Sequence, residues 1–524
     1  MEKCFEGSYT GSMDVVATKK QASKLAPPKY TVINRQQGHF IDFHVDDLIG
    51  VEHPARLIWN LVGDMDLSGF EKEIVSREGG AGRSCWEPRL LISLWIYGYT
   101  RGVSSARQLE RMSEYEPGVR WLCGLETVNH HTLSDFRVQA DERLRQLLTN
   151  VLAALAQEGL VNFGVLLQDG TKIKTQASRH SFHRAATLQR HRDEARAYVE
   201  ELDRRAAAGE DDETDSGNRT KKEAAIERAA RERLARSQAA ISELEQRQAQ
   251  AKPSERNDVR VSESECEARK MKQTNGGFDP SYNVQFVTEA KNGFVVGVSI
   301  SNENNDQHQL IDTIAVAQKA TGQAPHTVIA DGGYANRENI AEMTAQQIDL
   351  VAPWKSEESR QAGALACNGI APEFGPSKFA VGEDGRSLRC PAGETLIQIG
   401  AGTHHGQKVL RYEANRNVCG ACVYKPLCCP KHPARRVERT VETEVMTQYH
   451  QRMAQPETQQ MYKTRSRIAE YVHMKLKGSW GLTRFSVKGL AKAGKEALWM
   501  AIAFNVQVML TLRRQRGELS LMAG

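Results

Sequence analysis

The sequence predicts a mixed α/β fold, and three observations carry that expectation. Between Val161 and Ala352, short runs rich in Val, Ile and Phe alternate with runs of helical spacing. Two of the short runs end on an aspartate, Asp169 and Asp331. Two long segments of different composition interrupt the pattern, one rich in Arg, Glu and Ala and one rich in Cys, Gly and Pro. The order strand, hairpin, helix, strand, helix, strand is that of a mixed sheet.

Composition bounds the reading. The chain has 524 residues, 40% hydrophobic and 26% charged, which allows several domains and a large core and excludes wholesale disorder, collagen and a small disulfide scaffold. The longest apolar runs, Leu90 to Tyr99 and Ala497 to Leu510, fall short of the roughly 18 residues of a membrane helix, and the second contains Asn505 and Gln507. No membrane span is expected. The opening residues have no apolar stretch behind a basic start, so a reducing cytoplasm is expected, with the ten cysteines as thiols or metal ligands. The net charge of +5 is unevenly spread: Met461 to Arg516 carry twelve Lys or Arg against Glu470 and Glu496, a local balance of +10 that leaves −5 for the rest. Such a patch suits a polyanion, most simply nucleic acid, or is a solvated helix face.

Residues 1–38 read as a loose leader without periodicity. From 39 to 150 the pattern is helical: Pro88 opens a run with Leu90, Leu91, Leu94, Trp95 and Tyr99 on one face, and Thr132 is placed as the N-cap of a helix with Leu133, Phe136 and Arg137. These short helices suit either a helix-turn-helix-like DNA reader or a plain packing domain. Val161, Phe163, Val165 and Leu167 alternate up to Asp169-Gly170, which reads as a strand ending in a carboxylate. Tyr282 to Thr288 and Phe294 to Ser299 form a hairpin across Glu-Ala-Lys-Asn-Gly. A helix over 307–320, a strand ending in Asp331, a helix from Asn336 and a strand over 348–352 follow.

The first interruption, 184–251, has Leu188, His191, Ala195, Tyr198 and Leu202 on one stripe and Leu234, Ser237, Ile241 and Leu244 on another, with an acidic tip from Gly209 to Gly217 between them. It reads as a protruding helical hairpin with imperfect seams at His191 and Ser237. The second, 365–445, holds Cys390, the Cys419-x2-Cys422 knuckle and Cys428-Cys429. Cys390, Cys419, Cys422 and Cys428 could hold one structural zinc, or remain free thiols.

The two strand-terminal aspartates need a common explanation, because a lone Asp at a strand end is ordinarily a turn residue. Magnesium is held by one or two carboxylates together with substrate phosphates, so a phosphate-processing site needs few protein ligands. Glu470 is the expected third carboxylate, on a strongly helical run in the basic segment. At 100° per residue Lys477 returns to within about 20° of it and Arg467 lies about 60° away. The alternative is a set of intrahelical ion pairs of ~0.3–0.5 kcal/mol each.

At these residues the chain resembles a known family. The segments LLQDGTKIKT, ARKMK with SYNVQ, VIADGGYANRENI and the series Tyr462, Arg465, Glu470, Lys477 resemble bacterial insertion-sequence transposases of the DDE class, and most nearly the insertion-sequence 1182 family with its Y-R-E-K signature. Their order and spacing extend from Phe40 to Leu512 and include SARQLE and TLSDFR. The resemblance implies an RNase H-like catalytic core, formed by 160–355 with 455–512, and a helical N-terminal DNA-binding domain. It also implies the triad Asp169, Asp331 and Glu470 holding Mg²⁺ or Mn²⁺. Water activated at that site attacks a phosphodiester at the element end, and the released 3′-hydroxyl attacks target DNA. Tyr462, Arg465, Arg467, Lys477, Lys172 and Lys174 are the expected DNA contacts. The signature spaces Arg and Glu by three residues, whereas four separate Arg465 from Glu470, which makes Arg467 the rival for that position.

Double-stranded DNA is the expected partner, both as element terminal repeats and as target. A homodimer or larger assembly in the bacterial cytoplasm at the nucleoid is expected, since two element ends must meet. The rival readings are a non-catalytic DNA-binding protein and an RNase H-like nuclease that never joins strands.

Overall fold

A computed structural model describes residues 44–72, 74, 84–139, 141–208, 216–354, 363–382, 385–404 and 407–517. The leader over 1–38 and most of the acidic tip lie outside the described residues. Its centre is a mixed sheet of six strands: β1 (Val165–Lys174), β2 (Arg269–Lys272), β3 (Phe278–Glu289), β4 (Val295–Ser301), β5 (Thr327–Ala330) and β6 (Asp349–Val351). β3 runs antiparallel to β1 and takes β2 along one half of its far edge and β4 along the other. β5 and β6 extend the sheet in parallel on the other side of β1. The spatial order β4-β3-β1-β5-β6 places the two aspartate-bearing strands side by side at its centre.

Local chemistry explains the hairpin between β3 and β4. The fully buried Glu289 accepts from the backbone N–H groups of Lys291 at 2.8 Å, Asn292 at 2.5 Å and Phe294 at 3.3 Å, and Gly293 supplies a φ of +79°. Asn336 caps the helix Arg337–Ala345 by accepting from Asn339 N at 2.8 Å.

One sheet face is covered by the helix Leu490–Gln515, which is buried along most of its length. Asn505, the polar break in that apolar run, accepts from Val295 N and donates to Val295 O, both at 2.7 Å, and so satisfies the free edge of β4. The N-terminal helices Pro54–Gly63, Pro88–Thr100, Ala106–Tyr115, Pro117–Leu122, His130–Gln139 and Asp141–Gln157 share one continuous apolar core with this helix and the sheet. Trp499 Nε1 donates to Arg137 O at 3.3 Å, Lys495 Nζ donates to Val138 O at 2.7 Å, and Arg137 stands 4.5 Å from the Trp95 ring centroid. The expected cap at Thr132 is corrected: the helix begins at His130, and the Asn129 side chain accepts from Thr132 N at 2.9 Å, because the Asn lies one residue before the first turn.

The helices Ala185–Ala208 and Ser216–Gln250 pack against each other around Leu188, Ala240, Ile241 and Leu244. Tyr198 is half exposed and Val199 is buried in its place, a shift of one residue from the expected stripe. The Cys-containing segment forms a separate five-stranded antiparallel sheet with its own small core of Phe374, Phe379, Leu388, Leu396, Tyr412 and Val437. No described helix is long and apolar enough to cross a membrane.

Candidate active site

Asp169 does not end its strand. β1 continues to Lys174 on its antiparallel edge, while its parallel pairing with β5 stops at Gln168 opposite Ala330. The sequence pattern broke at Asp169 because one neighbour is lost there, not because the strand ends. Asp169 and Asp331 are therefore the next residues on adjacent strands, which lie about 4.8 Å apart. Successive strand residues alternate faces, so Asp169 shares the face of Leu167, where Leu167, Ile329 and Val351 pack with Ile468.

Ile468 belongs to the helix Arg465–His473, which seats three chemically active residues over this face. Arg465 Nη2 lies 3.0 Å from Asp169 Oδ1, and His473 Nε2 lies 3.3 Å from Asp169 Oδ2. These two residues are eight apart, two helical turns, and share one side of the helix. The His473 approach has ion-pair distance without hydrogen-bond alignment, so both its ring nitrogens, like Arg465 Nε, are buried with no hydrogen-bond partner. Burial of Asp169 opposes its ionisation, but His473, Arg465 and the Gly170 N–H outweigh it and hold the carboxyl below its usual range. Glu470 stands roughly 60° round the helix from His473 and is exposed, with no ion-pair partner among the described residues. The intrahelical ion-pair account of Glu470 therefore has no counterpart in the structure.

Asp331 turns out of β5, and its Oδ1 accepts from Gly333 N at 2.6 Å. A side chain at position 333 would meet that carboxylate at 2.8 Å, so the Asp-Gly-Gly turn keeps the acid open. At Gly170, on the other face of β1, a Cβ would meet Gln285 Nε2 at 2.5 Å and Asp306 Oδ1 at 2.6 Å. The buried Tyr334 hydroxyl donates to Gln285 Oε1. Its pKa is driven well up by burial and, beyond that, by the carboxylates of Asp306, Asp169 and Asp331.

The other expected site residues fall out differently. The helix ends at His473, and Met474–Ser479 form a wider π turn, closed by Trp480 N to Lys475 O at 3.0 Å. The 100° count fails there, and Lys477 turns back to donate its Nζ to Lys172 O on β1 at 2.8 Å instead of standing beside Glu470. Burial and the neighbouring Lys172 pull the Lys477 amine down to about 8. Lys174 pairs with Asp279 at 2.9 Å, where Arg179 also binds. Arg465 meets Asp169 while Arg467 is exposed to solvent. Tyr462 packs against the Leu167 and Ile329 cluster and lines an open groove with Trp354, His450 and Lys463.

Asp169, Asp331 and Glu470 offer only hard oxygen donors, the set that magnesium and manganese take. Among the described residues their three carboxylates are not drawn to within 4.8 Å of one another. In the second sheet, Cys390, Cys419, Cys422, Cys428 and Cys429 line one cavity of about 30 Å³ with Phe374 and Arg435, and burial pushes the Cys428 thiol up to about 12. Sequence reasoning missed His473, for which the eight-residue spacing from Arg465 was a usable signal.

Residues 389–510 match the family model described as a transposase DDE domain, and residues 43–139 match the one described as a transposase domain (DUF772). The first match includes Glu470, while Asp169 and Asp331 lie outside both. No curated protein matches the chain. Among solved structures it is similar to a piggyBac transposase synaptic complex with hairpin DNA, at 8% identity and a TM-score of 0.29, over 90% of this chain and 78% of that one. That likeness is too distant to bear on the fold. The two domain matches support a transposase, a class whose DDE domains generally use divalent metal ions.

Proposed function

We propose that the chain is a bacterial insertion-sequence transposase of the 1182 type, which cleaves element ends and joins them to target DNA by metal-dependent phosphoryl transfer. The observation that carries this reading is the pair Asp169 and Asp331 on adjacent parallel strands beneath the helix bearing Glu470. The strand order β4-β3-β1-β5-β6, with an antiparallel hairpin on one side of β1 and parallel strands on the other, supports reading the sheet as an RNase H-like core.

Asp169, Asp331 and Glu470 would hold Mg²⁺ or Mn²⁺. A divalent ion bound there supplies Lewis-acid stabilisation of the charge that builds on a phosphodiester under attack. Arg465 and His473 keep Asp169 ionised and oriented until substrate phosphate enters. Lys477 ties the π turn to the backbone of β1 and so fixes the Glu470 helix against the strand of Asp169. Exposed cations, Arg467 and Lys463 above all, hold phosphates of double-stranded DNA, where charge positions the duplex and does not read it. The cysteines of the second sheet hold a structural zinc, and two copies of the chain assemble with the element's terminal repeats.

Incubating the full chain with a duplex carrying the element's ends, with target DNA and with Mg²⁺ or Mn²⁺, tests the reading. Joined products are expected. Cleavage without joining makes the protein a nuclease, and binding without cleavage makes it a DNA-binding protein.

A further inference from the structure

The seam of the helical insertion is flawed at His191 and Ser237, and both residues turn out to serve one carboxylate. Glu263 Oε2 lies 2.8 Å from His191 Nδ1, and its Oε1 accepts from Ser237 Oγ at 2.8 Å. Ser237 is fully buried, and Glu263 and His191 are largely so, with side chains 20% and 22% exposed. His183 faces the same point, its ring centroid 5.3 Å from that of His191 at 76°.

The three groups come from three chain segments at the root of the insertion. His183 and Val261 are paired in a two-stranded ribbon, His191 sits on the outgoing helix, and Glu263 follows the returning ribbon strand, anchored by its N–H to Ser181 O at 3.0 Å. Among the described residues these are the His, Cys, Asp or Glu ligand atoms, in a group of three, that lie within 4.8 Å of one another. We propose that His183, His191 and Glu263 form a metal site for a borderline divalent cation, zinc by its chemistry, which staples the helical insertion to the ribbon that follows β1.

Two imidazoles and a carboxylate are a common zinc donor set that leaves a fourth position for water. The Ser237 hydroxyl on the far carboxylate oxygen orients Glu263, as outer partners of metal ligands do. A hydrogen-bonded His191–Glu263 pair alone gives no role to the His183 side chain, which makes no hydrogen bond among the described residues.

His183→Ala is therefore the clean variant, since it removes a ligand without breaking a side-chain hydrogen bond. Full chain purified without chelator is loaded with Zn²⁺ or Co²⁺ alone and dialysed, and its metal content and cobalt spectrum are measured. The wild type should hold one equivalent more than His183→Ala, and the cobalt difference spectrum between the two should be tetrahedral and lack the thiolate charge-transfer band. That equivalent should persist in Asp169→Asn and in Cys419→Ser, which separates it from the carboxylate site and the cysteines. Ser237→Ala should weaken the same site about 10- to 100-fold. Zinc should raise the thermal midpoint of wild type by more than that of His183→Gln, a second variant that keeps side-chain volume. Equal metal content and equal cobalt spectra in wild type and both His183 variants overturn the proposal.

Discussion

Beneath the helix Leu490–Gln515, Asn505 takes both backbone groups of Val295, and Glu496 accepts twice from Ser486 N at 3.1 and 2.9 Å. In the neighbouring helix Arg465–His473, whose Tyr471 ring packs 5.8 Å from that of Phe504, Arg465 Nε is buried without a hydrogen-bond partner and Glu470 stands exposed. One region's buried polar groups thus serve folding, whereas the other gathers an arginine and a histidine about the Asp169 carboxylate. Unsatisfied buried donors beside an ionised carboxylate are costly in a purely structural setting.

Substitutions in the two regions should separate activity from stability. Asp169→Asn, Asp331→Asn and Glu470→Gln should each cut DNA cleavage by at least ~10²–10³-fold, the scale of losing one group that stabilises developing charge. The thermal midpoint should move little in Glu470→Gln, since exposed substitutions usually stay within about 0.5 kcal/mol, whereas Asp169→Asn removes the charge that faces Arg465 and His473 and should also lower stability. Cleavage at the wild-type rate in any of them removes that residue from the site. Under the long helix, Trp499→Ala should cost roughly 3–5 kcal/mol of stability, measured by urea unfolding, because a fully buried indole is lost from the core joining the N-terminal helices to the sheet. A small loss would mean that the N-terminal helices are a separable domain.

The strands of the sheet were far more legible than the site. Alternation marked the start of β1, and short apolar runs marked β3, β4 and β5 because these strands are buried on both faces over much of their length, and burial is what a hydrophobic pattern records. The position of Asp169 was legible, but the reason for it was not: loss of the β5 neighbour depends on pairing, which alternation within one strand cannot express. Lys477 was misplaced because a helical count assumes a constant turn, and the π turn after His473 is set by tertiary contact with β1. His191 and Ser237 read as seam defects for a similar reason, since their partner Glu263 comes from beyond the hairpin.

The two carboxylates Glu496 and Asp169 should also answer pH in opposite senses. Burial raises the Glu496 carboxyl to about 7, against the pull of Arg137 at 3.9 Å. The folded state then binds that proton more tightly than the unfolded chain, so the contribution is full below the ordinary carboxylate range and is lost as pH rises through 7. Asp169 is lowered, so its contribution is present above the ordinary carboxylate range and is lost as pH falls through its folded value. Glu496→Gln should flatten the stability curve between about pH 4.5 and 7, and Asp169→Asn should flatten only its acid limb. Unfolding free energies across pH check both, and identical profiles for the two variants would erase the distinction.

The smallest expected effect distinguishes cations that hold DNA from those that hold the fold. Of the basic residues in the +10 segment, Arg465 faces Asp169, Lys477 binds Lys172 O, Lys495 binds Val138 O and Arg513 pairs with Glu158. Those charges are committed within the protein. Arg467 is exposed, on the side of its helix turned away from Asp169. Each phosphate neutralised on duplex DNA contributes about −0.9 to the slope of log K against log salt. Arg467→Ala should therefore make the slope shallower by about one such unit, while Lys477→Met should leave the slope unchanged and lower cleavage by loosening the π turn from β1. Binding isotherms over a series of salt concentrations read both. A shallower slope in Lys477→Met with an unchanged one in Arg467→Ala would reverse the assignment, making the buried amine the phosphate contact and the exposed guanidinium a bystander.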